Sequence, residues 1–338
     1  MSRSNLSETM HIVYASDDKF AEILGVSVTS LLENNKDMHR IVIYILDSGI
    51  TAENHQKLES LCVSYPNAEI VWLPAKDISK ELSVNVNLDR GSLSQYARLF
   101  VSSVLPSDVE RVLYLDCDII IAQSLRPLWT LDMQEKTIAA LMDAFSTNYR
   151  KNIALQPDDI MFNSGVMLID LTRWKQLHIE QKLMDFIKSR RGQIQQGDQG
   201  ALNAILSRDT YCFAPKFNSV TIFYDFTYKE MLRYRKPPKF YSEKQVLEAT
   251  EHPVIIHFTT SFLSERPWIE GCQHRYVSEW MRYKAMSPWK DTPLWPPKKG
   301  GAKTAYKNLM QHLPRSWMIG ISSLLQVYGR PFYYSLKK

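Results

Sequence analysis

The sequence predicts an α/β fold, a parallel sheet covered by helices, on three observations. Apolar β-rich runs alternate with helical stripes between residues 11 and 115, the order that builds parallel strands with helical crossovers. The run 41–46 is continuously apolar and mostly β-branched, as a strand buried on both faces must be. The composition is that of a globular chain, with 45% hydrophobic and 23% charged residues among 338.

In order, the first strand covers 11–15. A helix over 20–32 carries Phe20, Ile23, Leu24, Val28, Leu31 and Leu32 at helical spacing. The strand 41–46 is followed by a helix over 51–63 with Leu58, Leu61 and Cys62 on one face. A strand at 69–73, a helix over 93–105 and a strand at 111–115 complete the series. Further on, 137–142, 165–171 and 254–258 read as strands, and 173–188 and 198–206 as helices. Near Pro288 the composition shifts to Pro, Trp, Lys and Gly, a linker pattern. It separates a body, 1–288, from a tail, 289–338.

Several function classes are excluded by what is missing. The first ten residues are polar, against a secretory signal, and no stretch has the roughly 18 apolar residues of a spanning helix. Cys62, Cys117, Cys212 and Cys272 form no CxxC pair, which fits a reducing cytoplasm rather than a disulfide scaffold or structural zinc. After the first strand stands Ala15-Ser16-Asp17-Asp18-Lys19-Phe20 where a dinucleotide fold would place GxGxxG. GxxxxGK, GxSxG and HExxH are also lacking, against the NTPase, hydrolase and zincin readings.

The net charge is +5, yet eight of the 41 basic residues and none of the 36 acidic ones lie from Lys298 onward. The body is therefore slightly acidic, and no nucleic-acid partner is expected. In the tail, Tyr306, Leu309, Met310 and Leu313 form one helical stripe, and Trp317, Met318, Ile321, Leu324, Leu325 and Tyr328 form another. Lys303, Lys307, Arg315, Arg330, Lys337 and Lys338 flank them. This is the pattern of a basic amphipathic helix on an anionic membrane surface; the alternative is that the stripes pack on the body.

The chemistry follows the fourth strand. Asp116-Cys117-Asp118 stands at its carboxyl end, where open α/β sheets bind ligands. In extended chain the two carboxylates face one side. Two anions between apolar runs are costly without a cation, and oxygen ligands select Mg²⁺ or Mn²⁺. A solvated pair of strand-end aspartates is the plainer alternative. His257 ends another apolar strand and could be a third ligand, favouring Mn²⁺, or a satisfied buried histidine. Asp143, Asn163 and the pair Asp198-Gln199 are polar residues in apolar settings; Asp198 could equally be a helix first-turn residue.

Together these blocks resemble the retaining nucleotide-sugar glycosyltransferases of family eight, from about residue 11 to 268. The resemblance is carried by Ile12-Val13-Tyr14-Ala15-Ser16-Asp17-Asp18, Tyr96-Ala97-Arg98-Leu99, Tyr114-Leu115-Asp116-Cys117-Asp118, Leu125-Arg126-Pro127-Leu128-Trp129, Phe162-Asn163-Ser164-Gly165, Asp198-Gln199, and His257-Phe258 before Arg266-Pro267-Trp268. It implies a GT-A-type doubly wound nucleotide-binding domain with a mixed, mainly parallel sheet, followed here by the basic amphipathic C-terminal helices. It implies Mn²⁺, with Mg²⁺ as alternative, held by Asp116, Asp118 and His257. Ala15 and Asp17 would contact uracil, Phe20 would stack on it, and Lys19 would take a neighbouring position. Arg98, Asp143 and Asn163 would surround the ribose, diphosphate or donor sugar, and Asp198 and Gln199 would lie beside the anomeric carbon.

Three departures stand out. The spacing from His257 to Pro267 is three residues longer than in relatives reading HxxGxxKPW, with Thr260 for the glycine and Arg266 for the lysine. The implied activity is transfer of glucose or galactose from a UDP-sugar to a glycan or glycolipid acceptor of bacterial lipopolysaccharide or capsule, in the cytoplasm at the inner face of the membrane. A self-glucosylating primer, with seventeen tyrosines to choose from, and an inactive sugar-nucleotide-binding scaffold are the other readings. For retention, Gln199 is too weak a nucleophile and Asp198 or Asp143 would be better ones; front-face attack is favoured.

Overall fold

The structure, a computed structural model, describes residues 9–83, 86, 93–297, 300–301, 305–306, 309–310 and 312–336. Its strands are β1 (Thr9–Ser16), β2 (Arg40–Asp47), β3 (Ala68–Pro74), β4 (Arg111–Leu115), β5 (Ile119–Ile121), β6 (Ile138–Met142), β7 (Phe162–Asp170), β8 (Thr210–Cys212), β9 (Ser219–Val220) and β10 (Ile255–His257). The main sheet has the order β3-β2-β1-β4-β7-β6-β8, and a small sheet the order β5-β10-β9.

Continuous apolar runs become the inner strands because both faces are covered. Ile12, Tyr14, Ile41, Ile43, Ile45, Leu113 and Leu115 face one core with the helix Ala21–Glu33. Val13, Val42, Tyr44, Leu46, Val112 and Tyr114 face a second core with Tyr96, Leu99 and Trp174. The alternation of β and α predicts parallel pairing, and β1–β4 obey it. Strand β7 does not: it is antiparallel to both β4 and β6, giving the mixed, mainly parallel sheet that the resemblance implies.

Two helices differ from expectation. The stretch 173–188 is two helices, Leu171–Gln176 and Ile179–Ser189, broken where His178 turns left-handed at φ 52°. The stretch 93–105 is a 3₁₀ helix, Leu93–Phe100, followed by one α turn, Val101–Val104. Among the described residues, the helices of eight residues or more that have no sequence expectation are Tyr228–Arg235, Glu243–Glu251 and Val277–Met286. The first two open with capping boxes, Thr227 with Glu230 and Ser242 with Gln245, a signal the sequence does hold.

The segment after Pro288 is docked. Trp289 is buried against Gly25, where an added Cβ would stand 2.1 Å from the indole. Trp295 exchanges backbone bonds with Trp268 and Glu270 at 2.7 and 2.9 Å. The helix Arg315–Leu324 continues through a π turn, Leu325–Gly329, into Arg330–Ser335. Met318, Ile319 and Val327 are buried. Asn148 and Asn152 donate to the carbonyls of Val327 and Pro331 at 2.9 and 2.8 Å.

The opposite face exposes Trp317, Ile321, Leu324, Tyr328 and Phe332. Met318 thus leaves the stripe to which its spacing assigned it. Arg315 bonds Glu230 at 2.7 and 2.8 Å, so its charge is turned toward the body. Lys303, Lys307, Lys337 and Lys338 lie outside the described residues. Among the described residues no helix is long and apolar enough to cross a membrane.

Because Gly25 and Trp289 leave no room for a methyl group, Gly25→Ala should cost about 1–3 kcal/mol through overpacking. The expected readout is a lower urea midpoint with unchanged slope; an unchanged midpoint would mean that Trp289 is not seated there.

Candidate active site

The site is built where the two sheets meet. Strand β4 ends at Leu115, and Asp116 and Asp118 follow before β5. Strand β10 pairs with β5 through His257↔Ile119, which brings the imidazole beside the aspartates. Antiparallel β7 contributes its N-terminal end, with Asp116 N–H donating to the Gly165 carbonyl at 2.7 Å. The ligand atoms of Asp116, Asp118 and His257 all lie within 4.8 Å of one another, and the three residues are buried.

A hydrogen-bond chain places a proton on Nδ1 of His257. The Gly165 N–H donates to Asn163 Oδ1 at 3.0 Å, which orients that amide. Asn163 Oδ1 also accepts from Asn218 Nδ2 at 3.0 Å. Asn218 Oδ1 therefore faces His257 Nδ1, at 2.9 Å. An amide oxygen only accepts, so Nδ1 carries a proton. In the neutral ring, Nε2 then presents its lone pair 3.2 Å from Asp118 Oδ1 and 3.8 Å from Asp116 Oδ2. Nε2 has no aligned hydrogen-bond partner. One imidazole nitrogen and two carboxylates converging on one point fit a divalent cation, with the imidazole suiting Mn²⁺ better than Mg²⁺. Gly165 makes the space: a Cβ there would stand 2.3 Å from His257 Cε1 and 2.7 Å from Asp116 Oδ2.

Arg98 forms the buried floor. It bonds Asp116 Oδ1 at 2.7 Å, Asp198 Oδ2 at 3.0 Å and the Ser164 carbonyl at 2.8 Å, and it lies on the Tyr114 ring. Burial pulls its pKa down, but Asp116, Tyr114 and Asp198 outweigh that and raise it. Arg266 stands at the rim, 3.3 Å from Asp118 Oδ2 and bonded to Thr260 Oγ1 at 2.8 Å. Thr260, in the place of a glycine, thus holds the arginine that replaces a lysine.

One cavity of about 580 Å³ is lined by Asp118, Asp143, Asn163, Gln199, His257 and Arg266, among others. Gln199 accepts from the Ser164 N–H at 3.3 Å. Burial pushes the Asp143 carboxyl up, against the pull of Arg235. Asp198, in the first turn of the helix Gly197–Leu206, is held by Arg98 and is not among the lining residues. Nor are Ala15, Asp17, Lys19 and Phe20. Ala15 lies at the end of β1 and the other three just beyond it, adjacent to the aspartates through Cys117 Sγ, which contacts the Ala15 carbonyl at 3.3 Å. Asp17 caps the turn Asp18–Phe20, Lys19 lies over Trp295, and the Phe20 ring meets Trp268 and Trp295 edge to face.

Sequence reasoning missed Asn218, Arg235 and Gln326. Asn218 was findable only as a polar residue in an apolar setting, Phe217-Asn218-Ser219-Val220. Arg235 and Gln326 face the cavity from helices whose periodicity says nothing about it.

The description "Glycosyl transferase family 8" matches residues 11–271. General stress protein A of Bacillus subtilis (strain 168) is 30% identical, over 83% of this chain and 95% of that protein. Lipopolysaccharide 1,2-glucosyltransferase of Escherichia coli (strain K12) is 23% identical, over 91% and 86%. The crystal structure of galactosyltransferase LgtC with donor and acceptor sugar analogs superposes with a TM-score of 0.67 at 23% identity, covering 82% of this chain and 96% of that one. That likeness shows the shared fold.

Asn218→Leu removes the acceptor that holds the His257 proton on Nδ1. Loss of such a supporting partner should weaken Mn²⁺ binding by about 10–100-fold, measured by calorimetric titration. Unchanged affinity would mean that His257 is not a ligand.

Proposed function

The chain belongs to glycosyl transferase family 8, and we propose that it is a Mn²⁺-dependent retaining hexosyltransferase. It moves glucose or galactose from a UDP-sugar to a glycan or glycolipid acceptor in bacterial lipopolysaccharide or capsule synthesis. The observation that carries this reading is the convergence of Asp116, Asp118 and the His257 lone pair at the mouth of a cavity large enough for a sugar and its acceptor.

Asp116, Asp118 and His257 would hold the ion, which would offset the charge growing on a departing diphosphate. Arg266 adds a second positive charge at the rim. Ala15 and Asp17 would contact the uracil and Phe20 would stack on it, with Lys19 beside them. Asn163 and Gln199 would position the donor sugar from the cavity wall. Asp198 is a poor candidate nucleophile because Arg98 holds its carboxylate away from the cavity lining. Burial disfavours the ionised form of Asp143. Both points favour front-face attack, with the leaving phosphate oxygen accepting the acceptor's proton. Trapping a glycosylated Asp143 or Asp198 by mass spectrometry would contradict it.

Residues 1–288 would form the catalytic unit and 289–338 the attachment to the anionic inner face of the cell membrane, in the cytoplasm. What supports this is the exposed stripe Trp317, Ile321, Leu324, Tyr328 and Phe332 on a helix whose other face is already packed. A row of large apolar side chains left outside after docking fits an interface better than solvent.

Two measurements test the reading. UDP release from a panel of UDP-sugars should appear with Mn²⁺ and stop with chelator or in Asp118→Ala; activity insensitive to both would contradict it. The triple variant Trp317→Ser, Leu324→Ser, Phe332→Ser should lose co-sedimentation with phosphatidylglycerol vesicles. Retained sedimentation would contradict the attachment.

A further inference from the structure

The cavity continues away from the aspartates toward the C-terminal helix. Its wall there includes Phe145, Tyr234, Arg235, Gln326 and Arg330. Arg235 is a half-buried cation that makes no ion pair among the described residues, its charge acting at longer range on the Asp143 carboxyl of the same cavity. Its guanidinium stacks on Phe145 and Tyr234, 5.3 and 5.0 Å from the ring centres. Its Nε is buried with no hydrogen-bond partner. Among the described residues no carboxylate lies within ion-pair distance of it. The contrast is with Arg98, Arg266 and Arg315, each of which meets a carboxylate within 3.3 Å.

Arg330 comes to the same wall from the tail. The Tyr149 phenol feels both guanidiniums and is bonded by Gln326 Nε2 at 2.6 Å, so body and tail meet there.

We propose that this end of the cavity is an acceptor subsite for an oxyanion, a phosphate or carboxylate carried by the acceptor glycan, read by Arg235 together with Arg330. The proposal rests on the transferase reading above. Aromatic stacking holds the Arg235 plane and leaves its donor edge for a ligand. A guanidinium fork matches the two oxygens of a phosphate or carboxylate, and a cation withdrawn from water without a partner is costly until one arrives. The oxyanion belongs to the acceptor because the donor's diphosphate belongs at the other end, with Asp118, His257 and Arg266. Since Arg330 and Gln326 are tail residues, the subsite is complete only with the tail docked, and the exposed apolar stripe of the same helix then places the subsite beside the membrane-facing surface.

The test uses the full chain saturated with Mn²⁺ and UDP, so that the donor end is filled. Glucose 6-phosphate, glucuronate and glucose are then titrated separately by calorimetry. Both charged sugars, or one of them, should bind about tenfold tighter than glucose, the ratio of one charge-assisted pair. A preference for the phosphate or for the uronate identifies which oxyanion the acceptor carries. Arg235→Gln and Arg330→Gln should each remove most of the preference, and Arg235→Lys, which keeps the charge, should restore part of it. Equal binding of the three sugars, or a preference surviving both glutamine substitutions, overturns the subsite and leaves the transferase reading standing. Failure of UDP to bind with Mn²⁺ in the first step overturns both.

Discussion

The site depends on a charge imbalance held out of water. Asp116, Asp118 and Asp198 are buried together, and the cation buried among them is Arg98. Arg266 reaches the group only from the rim. At an effective dielectric of about 20, two like charges 4 Å apart repel by about 4 kcal/mol, so a second positive charge at the aspartates is strongly favoured. Asn218 accepts the proton of His257 Nδ1, which leaves Nε2 as the ring atom turned toward the carboxylates. A divalent ion there would meet all three side chains at once.

The mixed sheet serves this arrangement. If β7 ran parallel to β4, its first residues would lie at the opposite edge of the sheet. Running antiparallel, it brings Asn163, Ser164 and Gly165 to the carboxyl end of β4, with Leu115 opposite Val166. Asn163 then orients Asn218, Ser164 receives Arg98, and Gly165 leaves the gap that the imidazole and Asp116 occupy. The small sheet completes the group by pairing β10 with β5 directly after the aspartates.

Much of this was legible in the chain. Strands β1, β2 and β4 are buried on both faces, so their apolar runs are plain in the sequence; β3, at the sheet edge, is only half-buried. Asp116-Cys117-Asp118 and His257 each end such a run, and that position made them candidate ligands, which the structure brings within reach of one ion. The antiparallel course of β7 was not readable from periodicity, because a fully buried strand has the same pattern in either direction. Strands of two or three residues, such as β8 and β9, carry no period at all. Asn218 acts through two hydrogen bonds to residues distant in sequence, which no local pattern records. In the tail, large apolar side chains occur on both faces of one helix, and spacing alone assigned Met318 to the same side as Trp317. Packing against Tyr228–Arg235 separates them.

The tail therefore belongs to this cavity as well as to any surface it meets, since Tyr306, Gln326 and Arg330 line it together with Asp118. The central claim, that Asp116, Asp118 and the Nε2 lone pair of His257 hold the ion that engages the nucleotide, is tested most directly by electron–nuclear double resonance of Mn²⁺ bound with UDP. The account expects one ion coupled both to an imidazole nitrogen and to phosphorus, with the nitrogen coupling lost in His257→Ala. Phosphorus coupling without nitrogen in the unaltered protein, or UDP binding equally tight after chelation, would contradict it.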